Sequence, residues 1–180
     1  MVTATQPPTA ERSEVVTFKG NALTLIGPEI RIGDKAPEFQ ILGQDLSAVK
    51  LSDAKGKALV ISAVPSLDTP VCDAQTRRFN EEASRLPSGI EIWTISMDLP
   101  FAQRRWCGAA GIERVKVFSD HRDASFGQAY GALVKELRLL ARSIFVIDRQ
   151  GTVRHVEYVR EMTTHPNYEA ALSAVRQLVK

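Results

Sequence analysis

Apolar positions in this chain fall into short continuous runs and helical stripes that alternate. Ala58-Leu59-Val60-Ile61-Ser62-Ala63-Val64 is short, apolar and rich in branched residues. That pattern predicts a strand covered on both faces. Val71, Gln75, Phe79, Ala83 and Leu86 then share one helical face, with Gly89 just beyond the end. Ile90 to Ile95 reads as a second strand. Asp98 is expected to cap a helix from about Leu99 to Gly108, and Val115 to Phe118 forms a third strand. Asp123 is expected to cap a short helix through Tyr130, closed by Gly131. Ser143–Ile147 and Thr152–Val159 read as strands joined at the turn Asp148-Arg149-Gln150-Gly151. Asn167 opens a last helix carrying Tyr168, Ala171, Leu172, Val175, Leu178 and Val179 at helical spacing.

Upstream, Val15–Phe18 and Ala22–Leu25 flank Lys19-Gly20-Asn21 and predict an N-terminal β-hairpin. Phe39 to Leu42 reads as a further short strand. The order strand–helix–strand–helix–strand, then a hairpin and a helix, predicts an α/β thioredoxin-like fold. At 180 residues the chain is expected to form a flexible tail over 1–14 and one domain over 15–180.

Composition narrows the function. Net charge is +2, with both signs interspersed, which gives no support for nucleic acid or a membrane surface as partner. Met1 to Glu14 is polar and lacks the apolar core of a secretion signal, so a cytoplasmic location is expected. Three histidines show no ligand spacing with the two cysteines, so no metal is expected. No phosphate loop or dinucleotide fingerprint occurs, so no nucleotide cofactor is expected.

Two cysteines, Cys72 and Cys107, stand thirty-five positions apart. Each could be a small buried apolar residue. The setting of Cys72 argues otherwise. Thr69 reads as an N-cap and Pro70 as the first helical residue, so Cys72 is third in its helix. Free backbone N–H groups and the positive end of the helix dipole favour a thiolate there. The segment is built like a capping box with sulfur in place of the usual Glu. Cys107 is the weaker case, as Trp106 and an amphipathic helix also suit a core residue. Arg104 and Arg105 would lower its pKa if they face it, and are solvated surface otherwise.

Pro65, Thr69 and Cys72 form a Pro-x-x-x-Thr-x-x-Cys signature that resembles the peroxiredoxins. Ser96-Met97-Asp98-Leu99-Pro100-Phe101-Ala102-Gln103 leading to Cys107, Ser119-Asp120-His121-Arg122, and Leu139-Leu140-Ala141-Arg142 extend the likeness. They point to the thiol peroxidase subfamily, the atypical two-cysteine peroxiredoxins, from about Val16 to the C-terminus. Trp106 stands where a smaller aromatic is expected, and the stretch from Gly131 to Leu139 is short.

The resemblance implies a peroxidase for hydrogen peroxide and organic hydroperoxides. Cys72 would be the peroxidatic cysteine, oxidised to a sulfenic acid. Thr69 would bind thiolate and peroxide, Arg142 would stabilise the developing charge, and Pro65 would shield the sulfur from water. Cys107 would resolve the sulfenic acid as an intrachain disulfide, which thioredoxin would reduce. A homodimer is also implied. Phe101, Phe126 and Tyr130 read as core or interface packing. A redox sensor or chaperone switched by Cys72 oxidation is the rival reading. A dithiol oxidoreductase is disfavoured by the missing Cys-x-x-Cys.

Overall fold

In a computed structural model, residues 9–178 are described. Ten strands and four α-helices follow in order: β1 Glu11–Phe18, β2 Asn21–Ile26, β3 Gln40–Leu42, β4 Ala48–Lys50, β5 Ala58–Ala63, α1 Pro70–Ala83, β6 Ile90–Ser96, α2 Pro100–Ala110, β7 Lys116–Ser119, α3 Ser125–Ala129, β8 Leu133–Val134, β9 Ser143–Ile147, β10 Val153–Tyr158 and α4 Tyr168–Gln177. The main sheet has the order β10-β9-β5-β6-β7-β3-β4, and a small sheet has the order β1-β2-β8. The parallel pairs β5–β6 and β6–β7 sit beside the antiparallel β9, giving the mixed α/β sheet of a thioredoxin-like fold.

Alternation along β5 builds the two faces of the core. Leu59, Ile61 and Ala63 pack with Trp93, Ile95, Phe145, Phe126 and Tyr130. Ala58 and Val60 pack on the other face with Phe79 of α1 and Ala171, Leu172 and Val175 of α4. Every residue of β5 is buried, as a strand covered on both sides requires. Both layers bury branched and aromatic side chains, the largest favourable contribution to such a fold.

Several boundaries differ from the sequence pattern. The first strand begins at Glu11, four residues before Val15, because the backbone pairs with β2 whatever the side chains. A register shift between Ser13 and Val16, with Glu14 at φ 61°, hides the alternation there. Of the tail expected over 1–14, residues 1–8 lie outside the described residues, as does Val179 of the last stripe, and Glu11 to Glu14 are part of β1 rather than tail, because they pair with β2. Strands β4 and β8 have no counterpart in the sequence pattern, being three and two residues long.

Three expected caps are also corrected. Leu99, not Asp98, is the N-cap of α2, and Pro100 fills its first turn. Asp98 instead accepts from Ser66 Oγ at 2.7 Å, the Leu67 amide at 2.8 Å and Ser96 Oγ at 2.7 Å. It thereby ties the loop after β5 to the end of β6. At α3 the carboxylate is Asp120, not Asp123; it accepts from the amides of Phe126 and Gly127 at 3.0 and 2.8 Å. Thr69 is the N-cap residue of α1 by backbone, but its hydroxyl makes no cap bond and donates to the Ser66 carbonyl at 2.9 Å. Asn167 caps α4 as expected, accepting from the Ala170 amide at 3.0 Å. Among the described residues, no helix is long and apolar enough to cross a membrane.

Candidate active site

The site lies where β5 runs into α1. Leaving the sheet at Ala63, the chain passes buried Pro65 and turns at Ser66–Thr69, so that α1 starts at Pro70. Cys72 is then the third helical residue and is fully buried. Its neighbour across the sheet is Arg142, which immediately precedes β9, the strand paired with β5. Arg142 Nη2 donates to Cys72 Sγ at 3.3 Å.

Arg142 is only 2% exposed, and its guanidinium is held on three sides. Nε and Nη2 both donate to the Met162 carbonyl, at 3.0 and 2.9 Å, and Nη1 donates to Gln75 Oε1 at 2.7 Å. Gln75 Nε2 in turn donates to Ser62 Oγ at 2.7 Å. All these partners are neutral. Among the described residues no carboxylate forms a salt bridge with Arg142, so the charge is buried with the Cys72 sulfur as its one ionisable hydrogen-bond partner. A buried cation is costly unless an anion faces it. The arrangement therefore suits a thiolate, and a charge that moves from sulfur to oxygen.

Cys107 lies in α2, also buried and also free. It shares an apolar cluster with Cys72, Val64, Leu67 and Val117. Among the described residues its one side-chain hydrogen-bond partner is Gln44, whose Nε2 donates to Sγ at 3.4 Å. Burial pushes the Cys107 thiol up, and Gln44 offsets this only partly. Neither nearby arginine lowers it. Arg104 donates to the Gln44 carbonyl, and Arg105 lies 3.9 Å from Asp68. The two cysteines are thus chemically unlike: one faces a fixed cation, the other is an uncharged thiol in an apolar setting.

Of the residues singled out in the sequence, Cys72 and Arg142 are brought into direct contact, and Pro65 is buried in the loop before them. Thr69 is exposed, with its hydroxyl turned to Ser66. Phe126 and Tyr130 are core, whereas Phe101 is 61% exposed. Gln75 and the Met162 carbonyl were missed. Gln75 carried a signal: an amide on an otherwise apolar helical face must find partners when buried. A backbone carbonyl twenty residues beyond Arg142, the end of the nearest motif, carries none.

The residues 31–172 match the family model described as Redoxin. The chain is 60% identical over 161 residues to a thiol peroxidase of Halalkalibacterium halodurans, covering 89% of this chain and 96% of that one. It is 58% identical over 165 residues to a thiol peroxidase of Bacillus subtilis, covering 92% and 98%. Among solved structures, a peroxiredoxin-like protein from Aquifex aeolicus superposes with a TM-score of 0.86 at 42% identity, covering 93% of this chain and 98% of that one. Fold and site together define a thioredoxin-like redoxin with a buried thiol–guanidinium pair. Within that class the chain belongs to the thiol peroxidase family, and it is a peroxidase enzyme of the peroxiredoxin kind.

Proposed function

We propose that Cys72 is the peroxidatic cysteine of a thioredoxin-dependent thiol peroxidase acting on hydrogen peroxide and organic hydroperoxides. The observation that carries this is the Arg142–Cys72 contact at 3.3 Å, made by a buried guanidinium whose other acceptors are neutral. The thiolate attacks one peroxide oxygen, the O–O bond breaks, and the departing oxygen leaves as water or an alcohol after taking a proton. Cys72 becomes a sulfenic acid. Arg142 offers its N–H groups to the charge as it moves onto the leaving oxygen. Thr69 at the head of α1 binds the peroxide, and Pro65 keeps water from the sulfur.

Cys107 then attacks the sulfenic acid, giving an intrachain disulfide and water. Thioredoxin reduces that disulfide by thiol exchange. The working protein is a cytoplasmic homodimer, with β1 to α4 acting as one domain. Peroxide-dependent NADPH oxidation with thioredoxin and thioredoxin reductase tests the reading. Sustained turnover by the wild type, lost in Cys72→Ser and in Cys107→Ser, supports it. A single stoichiometric oxidation without turnover overturns it in favour of a redox switch. Sedimentation of the purified chain checks the dimer.

A further inference from the structure

The residue after Cys72 and the residue before Cys107 are bonded to each other. Trp106 Nε1 donates to Asp73 Oδ1 at 3.1 Å, across the gap between α1 and α2. Arg77, one turn along α1, braces the pair. Its Nε donates to Asp73 Oδ2 at 2.8 Å, and its Nη1 donates to the Ala110 carbonyl of α2 at 3.2 Å. Its guanidinium carbon lies 5.8 Å from the centre of the Trp106 ring. Two helices that each hold a redox cysteine are therefore tied together beside those cysteines.

Within one apolar cluster the two sulfurs are held by different partners. Cys72 Sγ meets Arg142, which leads into β9, and Cys107 Sγ meets Gln44, which follows β3. In the sheet, β9 and β3 are separated by β5, β6 and β7. That is four strand spacings of about 4.8 Å between the elements that hold the two sulfurs. A disulfide needs the Cα atoms within about 7 Å and the Cβ atoms turned toward each other. A Cys72–Cys107 bond takes each sulfur from its present partner, and the Asp73–Trp106 bond ties together the residues next to the two cysteines in the chain.

We propose that Asp73 and Trp106, braced by Arg77, are positioning residues that set how fast the Cys72 sulfenic acid is resolved. The proposal rests on the reading of Cys107 as the resolving cysteine. While the tie is closed, α1 presents Cys72 to Arg142 and the first oxidation is fast. When it opens, the Cys107 sulfur bonds to the Cys72 sulfur, the S–O bond breaks, and the hydroxyl leaves as water with the Cys107 proton. If a second peroxide arrives first, it transfers an oxygen to the sulfenic acid, giving a sulfinic acid and releasing water or an alcohol. The tie therefore sets the partition between disulfide and sulfinic acid.

The test uses Trp106→Phe, which keeps the ring and removes only the N–H donor, and Arg77→Met, which removes the brace. Quenched-flow mass spectrometry follows sulfenic acid, disulfide and sulfinic acid after addition of hydrogen peroxide. Expected is a rise of about threefold to tenfold in the rate of disulfide formation, the scale of the net contribution of one hydrogen bond. The sulfinic fraction at fixed peroxide falls correspondingly, while the rate of the first oxidation is unchanged. A merely structural role would lower stability without moving this partition. Normal disulfide formation in the wild type with an unchanged or slower rate in both variants overturns the tie alone. Absence of any Cys72–Cys107 disulfide in the wild type removes the resolving reading, and the tie with it.

Discussion

Arg142 and Cys72, seventy positions apart in the chain, meet at 3.3 Å inside the protein, with the guanidinium anchored on the Met162 carbonyl by two further bonds. The anchoring uses the planar fork. Three nitrogens address three different acceptors at once, which an ammonium cannot do from the same position.

Arg142→Lys therefore keeps a positive charge and loses the geometry. The second-order rate constant for Cys72 oxidation should fall by about 100-fold, the low end of the scale of a lost, pre-positioned donor to developing charge. Stopped-flow kinetics with hydrogen peroxide, alongside circular dichroism to verify the fold, checks this. A wild-type rate would remove Arg142 from the reaction.

Gln75 is fully buried and satisfies both Arg142 Nη1 and Ser62 Oγ. Gln75→Leu fills the same space but leaves a buried donor, Arg142 Nη1, and a buried acceptor, Ser62 Oγ, without partners. Stability should drop by about 1–3 kcal/mol, the cost of unmet buried polar groups. Peroxide reduction should slow as well, because the guanidinium loses one of its fixed points. Urea unfolding and steady-state kinetics on the same preparation measure the two effects.

The Thr69 hydroxyl donates to the Ser66 carbonyl in the turn before α1. Thr69→Val removes that bond at nearly constant shape, which should destabilise the protein by about 0.5–1.5 kcal/mol. If the hydroxyl also binds peroxide, the rate of Cys72 oxidation falls too, and Thr69→Ser restores both. Lost stability with an unaltered rate would confine Thr69 to the turn.

Burial has the largest influence on Asp120 and pushes its carboxyl up to about 6, although the amides of Gly127 and Phe126 pull the other way. The folded value thus lies above the unfolded one of about 3.9. Its contribution to stability is complete below that unfolded value and is lost as pH rises through about 6. The difference in unfolding free energy between the wild type and Asp120→Asn should decline from about pH 4 to about pH 6 and level off above. A difference that grows over this range contradicts the raised value.

What the sequence by itself determined was local. The apolar run of β5, the Thr69–Pro70 start of α1 and the Asp148–Gly151 turn each depend on residues within a few positions. Steric limits, capping and burial act at that range, so the third helical place of Cys72 was legible before any folding. The motifs around Cys72 also led to the family that the relatives share. Contacts between distant segments were decided only by the tertiary structure. Asp98 binds the loop at Ser66 and Leu67 rather than its own helix, and Asp120 displaces Asp123 at α3. Gln75 leaves an apolar stripe for Arg142, and Cys107 ends against Gln44 with no cation beside it. Each of these is a polar group buried or half-buried by packing, and such a group takes whichever partner the fold brings within about 3 Å. Sequence spacing carries no record of that choice, because the partners come from strands and loops that become neighbours only when the sheet assembles.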